Sequence, residues 1–253
     1  KNRTLVEKIQ LPHSRGVKIT SAALILIEIT FYVLFTANFL PPLKQLPTPS
    51  LTSIEVKTDL PSFFESNKLP LYTETITGKQ QEPLSFVIMA KNDQDLIDGF
   101  QKSSWFLGER ISFKSLGKAL NSAIFNQQDL TAPITHSFWN YEVNDFGFQK
   151  ATELNTVRQR HHVRIWKTNF NQNGKYLYIG TASLDADIKW FITHKINPDI
   201  DTEREYIMNT LVNSGVVENY EKIQFTNPTL GQNFLGDQFF TDGKLYIVNL
   251  GDF

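Results

Sequence analysis

No cysteine occurs among the 253 residues. Its absence excludes a disulfide framework, a thiolate nucleophile and any zinc site built on cysteine. It leaves the redox compartment open, because a thiol-free chain suits an oxidising or a reducing one. Charge of one sign is also lacking: 25 Lys and Arg stand against 26 Asp and Glu, for a net charge of -1. No global basic field draws such a chain to nucleic acid. The strings GxSxG, GxGxxG and HExxH and the P-loop are missing as well. Serine hydrolysis, dinucleotide binding and P-loop chemistry therefore have no motif behind them, and neither a metal nor a cofactor is expected. No internal repeat or low-complexity tract breaks the chain. What is present is 41% apolar content with 20 Phe, enough for a substantial β-rich core.

One run stands apart. In "SAALILIEITFYVLFTANFLPPL" the residues from Ala22 to Leu40 are apolar except Glu28, Thr30, Thr36 and Asn38. A spanning helix needs about 20 mostly apolar residues. The run is longer than the apolar part of a signal peptide and ends in Pro41-Pro42, which points to an uncleaved anchor in the lipid bilayer. Lys1, Arg3, Lys8, Arg15 and Lys18 precede it against the single acid Glu7. The positive-inside rule then places the N-terminus in the cytoplasm and the bulk of the chain outside. A carboxylate in hydrocarbon costs on the order of 2.5 kcal/mol or more. Glu28 is either protonated near the interface or paired with an integral membrane partner. The expected organisation is a cytoplasmic segment over 1–21, a transmembrane helix over 22–40, a Pro-rich linker over 41–68 and a globular domain over 69–253.

Within that domain "PLSFVIMA" predicts a buried strand and "NDQDLIDGFQKSSW" a helix capped by Asn92 or Asp93. Helical spacing recurs in "FKSLGKALNSAIFNQ", and "HSFWNYEV" predicts a strand. Asn173-Gly174 and Asp242-Gly243 signal hairpin turns. "DTEREYIMNTLVNSG" is the clearest helix, with Thr202 and Glu205 in capping-box spacing and Gly215 as its stop. Intermixed helices and hairpins predict an α+β domain, with a mixed, largely antiparallel sheet and about three packed helices.

The densest chemistry lies in "RQRHHVRIWKT". As a strand it alternates. Arg158, Arg160, His162, Arg164 and Trp166 share one face; His161, Val163 and Ile165 share the other. His161 then reads as a hydrogen-bonded core histidine. Alternating arginines repel one another unless anions lie nearby, whether a bound phosphate or carboxylate or the protein's own Asp185, Asp187, Asp199, Asp201 and Glu203. A second cluster, "THKINPDIDTERE", holds His194, Asp199, Asp201, Glu203 and Arg204. Carboxylates at a helix start are accounted for by capping and the macrodipole. Joined with His162 and Asp185, they also form a set able to bind a divalent metal or do acid/base work, although its spacing matches no strong metal motif.

These strings, with "YIGTASLDADI" and "THKINPDIDTEREYIMNTLVNSGVV", resemble the LssY C-terminal domain family over roughly Leu69 to Val217. The shared positions are Arg160, His161, His162, Arg164, Trp166, Gly180, Ala182, Asp185, His194, Asp199, Asp201, Glu203 and Arg204. The resemblance implies a bacterial membrane protein, in a family whose domain often stands beside phosphatidic-acid-phosphatase-type or DedA-type domains. It implies no activity for the domain itself. Two readings follow. In the first, the chain is a single-pass accessory or binding subunit of a bacterial inner-membrane complex, with its domain extracytoplasmic and its Arg/His/Asp site structural or anion-binding. In the second, it is a tethered hydrolase of a phosphorylated envelope lipid or glycan. There His162, Asp185, His194 and Asp201 would be catalytic, and Arg158, Arg160, Arg164, Trp166 and Arg204 would hold the ligand.

Overall fold

The computed structural model describes residues 20, 23–30, 52–75, 77–109, 130–131, 134, 137–154, 159–189 and 193–252, with backbone alone for 187–189 and 193–194. The chain divides into two units, Lys1–Pro49 and Ser50–Phe253. In the first, residues 23–30 are helical, with Leu24, Ile25, Leu26, Ile27, Glu28 and Ile29 exposed. No helix among the described residues is long and apolar enough to cross a membrane. Most of the expected span over 22–40 lies outside them.

The second unit is built on a long hairpin. Strand β9 (Arg160–Gln172) runs antiparallel to β10 (Lys175–Lys189). The Asn173-Gly174 turn joins them with φ of 54° and 80°, the left-handed pair that a two-residue hairpin turn needs. On one side of the hairpin β8 (Phe146–Ala151) and β5 (Phe106–Leu107) extend the sheet. On the other, the order continues through β4 (Phe86–Ala90), β15 (Lys244–Leu250) and β12 (Val217–Gln224). The β15–β4 contact and the pairing of β1 (Ile54–Glu55) with β9 are parallel, and the rest are antiparallel. A mixed, largely antiparallel α+β sheet was expected and is found. β11 (Thr193–Ile196) pairs with the far end of β10.

Both faces of the sheet are covered. On one, α2 (Asp93–Lys102) and α3 (Ile200–Asn213) bury Leu96, Phe100, Ile207, Met208 and Leu211 against Phe86, Ile88, Val163, Ile165 and Val248. Asn92 caps α2 through Asp95 N, as its position suggests. On the other face, α1 (Leu60–Ser66) presents Leu60, Phe63 and Phe64 to Val87, Trp139, Trp166, Leu177 and Ile179. Each such side chain contributes about 1.5–3 kcal/mol on burial.

Four expectations need correction. The stretch 41–68 is not linker throughout, since β1 and α1 lie in it and belong to the core. Pro61 is there a helix-starting residue, beside the cap Asp59. "HSFWNYEV" is a tight hairpin, β6 (Phe138–Trp139) and β7 (Glu142–Val143), turned at Asn140 and Tyr141 with φ of 49° and 68°. It joins β2 (Tyr72–Glu74) and β3 (Gln80–Pro83) in a small sheet. Asp242-Gly243 links two sheets, leading from the ribbon of β13 (Thr229–Gln232) and β14 (Gln238–Thr241) into β15. Finally, α3 is capped by Asp199, which accepts from Thr202 N and Oγ1, and Glu205 plays no part in the cap. The helix expected over "FKSLGKALNSAIFNQ" lies outside the described residues.

Candidate functional site

The hairpin splits its polar residues as period two requires. On the face of α1 lie Arg160, His162 and Arg164 of β9, with Ser183 and Asp185 opposite on β10 and Gln149 opposite on β8. Arg160, His162, Gln149, Ser183 and Asp185 are buried, and Arg164 is half-buried. His162 Nε2 lies 2.6 Å from Asp185 Oδ2. Arg160 Nη1 donates to Gln149 Oε1 at 2.8 Å, and Arg164 Nη1 to Ser183 Oγ at 3.1 Å.

Burial pushes the His162 imidazole down to about 4, against the opposing pull of Asp185 and with help from the two guanidiniums. The ring is therefore neutral at pH 7. Asp185 can only accept, so the ring proton sits on Nε2 and Nδ1 keeps its lone pair. Nδ1 is buried and has no hydrogen-bond partner among the described residues. His162 thus has one ring nitrogen on a carboxylate and the other buried without a partner among the described residues.

One residue earlier, the same strand does something else. His161 points to the helix face, where its Nδ1 lies 2.8 Å from Glu203 Oε2 of α3. Tyr206 stacks on the imidazole at 3.9 Å between centroids, and Trp105 meets it edge-on. Burial lowers His161 to about 4 and raises Glu203 well above the usual carboxyl range. The pair is uncharged, with the Glu203 carboxyl donating to His161 Nδ1. His161 is the hydrogen-bonded core histidine expected of the apolar row.

The acidic string after β11 goes to a third place. Arg204 is buried and donates to Asp201 Oδ1, Asp242 Oδ1 and Lys244 O through Nη1, at 2.8, 2.9 and 2.6 Å. Its Nη2 reaches Glu205 Oε1 at 2.8 Å. Asp201 also accepts from Thr241 Oγ1 and Asp242 N. Asp201 and Arg204 thus form a polar staple between α3 and the turn into β15. Trp166, at the end of the cationic row, sits in the α1 core with its indole N–H on Glu142 O. Arg158 and the side chain of His194 lie outside the described residues, although the His194 backbone pairs with Ile188 beside β10. Gln149 and Ser183 were missed by sequence reasoning. Their signal was the alternation in "FGFQKA" and "TASLDAD", which turns both toward the His162 face.

No group of three or more His, Cys, Asp or Glu able to hold a metal ion occurs among the described residues. Two surface clefts lie elsewhere. One of about 510 Å³ is lined by Lys91, Lys175, Glu218 and Asp252, and one of about 330 Å³ by Asp59, Leu60, Gln172 and Ile223.

The fold and this cluster define a class: an α+β domain whose central hairpin carries a buried His–Asp pair between two arginines. The model of one family, the LssY C-terminus, matches residues 66–245. The chain belongs to that family. No curated protein and no solved structure matches it.

Proposed function

We propose that the chain is a membrane-anchored binding or accessory subunit, and that the Arg160–His162–Arg164–Asp185 layer is its ligand site. The observation that carries this reading is His162 Nδ1, a buried acceptor with no partner among the described residues, set between two arginines on one strand face. A buried polar atom left without a hydrogen bond costs about 1–3 kcal/mol, so a group that supplies one gains affinity. The fitting ligand offers a hydroxyl proton to Nδ1 and anionic oxygens to the guanidiniums. A singly protonated phosphate or phosphomonoester has both; a carboxylate has only the second. A phosphorylated ligand also suits a family whose domain often stands beside phosphatidic-acid-phosphatase-type or DedA-type domains. The apolar run over 22–40, preceded by five cations, supplies the anchor, with the domain outside the cytoplasm of a bacterial inner membrane. Glu28 is the contact for an integral membrane partner.

Calorimetric titration of the full chain in detergent with inorganic phosphate tests the site. Saturable binding is expected, at least tenfold weaker in Arg164→Ala. Binding that is absent, or equal in that variant, overturns the reading.

A hydrolase is the second reading, favoured by the 2.6 Å His162–Asp185 contact. His162 would take a proton from water attacking a phosphoester held by Arg164, the bond from phosphorus to the ester oxygen would break, and His162 would return the proton to the departing alcohol. Turnover of p-nitrophenyl phosphate that disappears in His162→Ala would move the chain to this class.

A further inference from the structure

Between Thr226 and Thr241 the chain has one ionisable side chain, Asp237, and that one is buried. These residues build the β13–β14 ribbon, whose two faces differ. The inner face is fixed to the body of the domain. Phe239 packs on Ile196 and Ile200, over a Gly231 whose Cβ would overlap its ring. Thr241 Oγ1 donates to Asp201, and at the tip Asn233 Nδ2 and Phe234 N donate to Glu82 and Gln81. The outer face holds Leu230 and Phe240, a directly opposed pair, beside Gln232 opposite Gln238. Leu230 is 88% exposed, Phe234 at the tip 62% and Phe240 42%. Along each strand period two turns these side chains outward because their neighbours are bound inward.

We infer that the outer face of this ribbon docks on a lipid bilayer, with Leu230, Phe234 and Phe240 entering the boundary between headgroups and acyl chains. The inference rests on the reading of 22–40 as an anchor. Three observations choose a bilayer over a protein as the occupant. The first is charge. A protein interface keeps a polar, solvent-exposed rim in which charges are tolerated. A charge entering hydrocarbon is penalised, and this face carries none.

The second is area. A large apolar residue offers about 150–200 Å², so the three exposed fractions amount to roughly 350 Å². That is under half of the about 800 Å² per partner that a standard protein interface buries. The third is reach. Residues 41–51 separate the apolar run from Thr52, and a chain of that length spans at most about 40 Å. A domain kept so close to one bilayer needs only a small patch to settle on it, because the tether supplies the effective concentration. With no charge on the face, docking is indifferent to salt and to anionic lipid.

The lack of native cysteine makes the test direct, because an introduced cysteine is the only thiol to label. The full chain, reconstituted in phosphatidylcholine vesicles, carries a fluorophore at Gln238→Cys on the outer face, or at Gln101→Cys on exposed α2 as a control. Lipids brominated near the top of their acyl chains should quench the first at least twofold and leave the second unchanged. Quenching at 238 should persist in high salt and with phosphatidylglycerol present. It should vanish when Leu230→Asp and Phe234→Asp are added. Should that combination fail to fold, labelled Leu230→Cys alone gives a second readout and should be quenched like 238. Equal quenching at 101, or quenching that salt abolishes, overturns the proposal. Vesicle flotation separates it from the anchor reading. A chain that floats with its 238 label open to aqueous iodide and untouched by bromolipid keeps its anchor and overturns the docking. A label shielded from both quenchers gives the face to a protein or to a second copy, and overturns it as well. A chain that does not float overturns both readings.

Discussion

His161 and His162 are neighbours in sequence, and each has an acidic side chain as its hydrogen-bond partner. Burial pushes both imidazoles down to about 4. Yet they belong to different parts of the protein. His161 lies under α3, with an aromatic ring stacked on it and a carboxyl whose pKa is strongly raised. His162 lies on the other face between two arginines, with a ring nitrogen that no described residue meets. The contrast shows that a histidine–carboxylate contact does not by itself mark a site. What differs between the two pairs is their surroundings, stacked aromatic rings at His161 and two arginines beside a ring nitrogen unpartnered among the described residues at His162.

The comparison can be broken first at its acidic partners. Asp185→Ala removes the acceptor of a buried histidine flanked by cations. We expect a loss of about 3 kcal/mol or more in urea unfolding, together with loss of phosphate binding. Glu203→Gln keeps a neutral donor for His161 Nδ1 and should cost no more than about 1 kcal/mol at pH 6. Equal losses in the two variants would erase the distinction.

Proton linkage separates the pairs more finely. His162 is neutral in the fold, whereas its unfolded counterpart binds a proton below 6.5. Its contribution to stability is complete above pH 6.5 and is lost as the pH falls toward 4. The His161–Glu203 pair holds one proton in the fold, on Glu203. Unfolded, it also holds one between about 4.5 and 6.5, on the histidine, so it adds no slope there. Above 6.5 the unfolded pair holds none, and stability falls as pH rises until Glu203 ionises. Each one-proton difference corresponds to about 1.4 kcal/mol per pH unit. Unfolding free energies across this range should lose their acid slope in His162→Asn and their alkaline slope in Glu203→Gln. In the latter a second acid slope, that of His161, should appear. The smallest effect belongs to Tyr206→Phe, which keeps the stacked ring and should alter stability by less than about 0.5 kcal/mol.

The division between the histidines was legible in "RQRHHVRIWKT", because a two-residue period needs no knowledge of the rest of the chain. The Asn173-Gly174 turn was legible for the same reason, being purely local. What failed was what depends on distant partners. Asp201 and Arg204 were grouped with His162, but their hydrogen bonds run to Thr241, Asp242 and Lys244 near the far end of the chain. Trp166 shares its row with the arginines, but that row passes under α1, where Phe63 and Phe64 turn it into core. α1 itself was hidden because prolines on either side of it read as linker, although Asp59-Leu60-Pro61 is also a helix start.

The placement of β4 has a consequence for how the chain reaches this fold. "FVIMA" is among the most apolar strands of the sheet, and it is flanked by β10 on one side and by β15 on the other. Its register partners on the second side, such as Ile247 for Val87, are made long after it. Until β15 is made that edge stands open, a hydrophobic ladder without its closing strand. Parallel pairing between distant segments is slow, and unpaired apolar edges promote aggregation. A nascent chain, or one cut before β15, would therefore be a client for chaperones until that strand arrives.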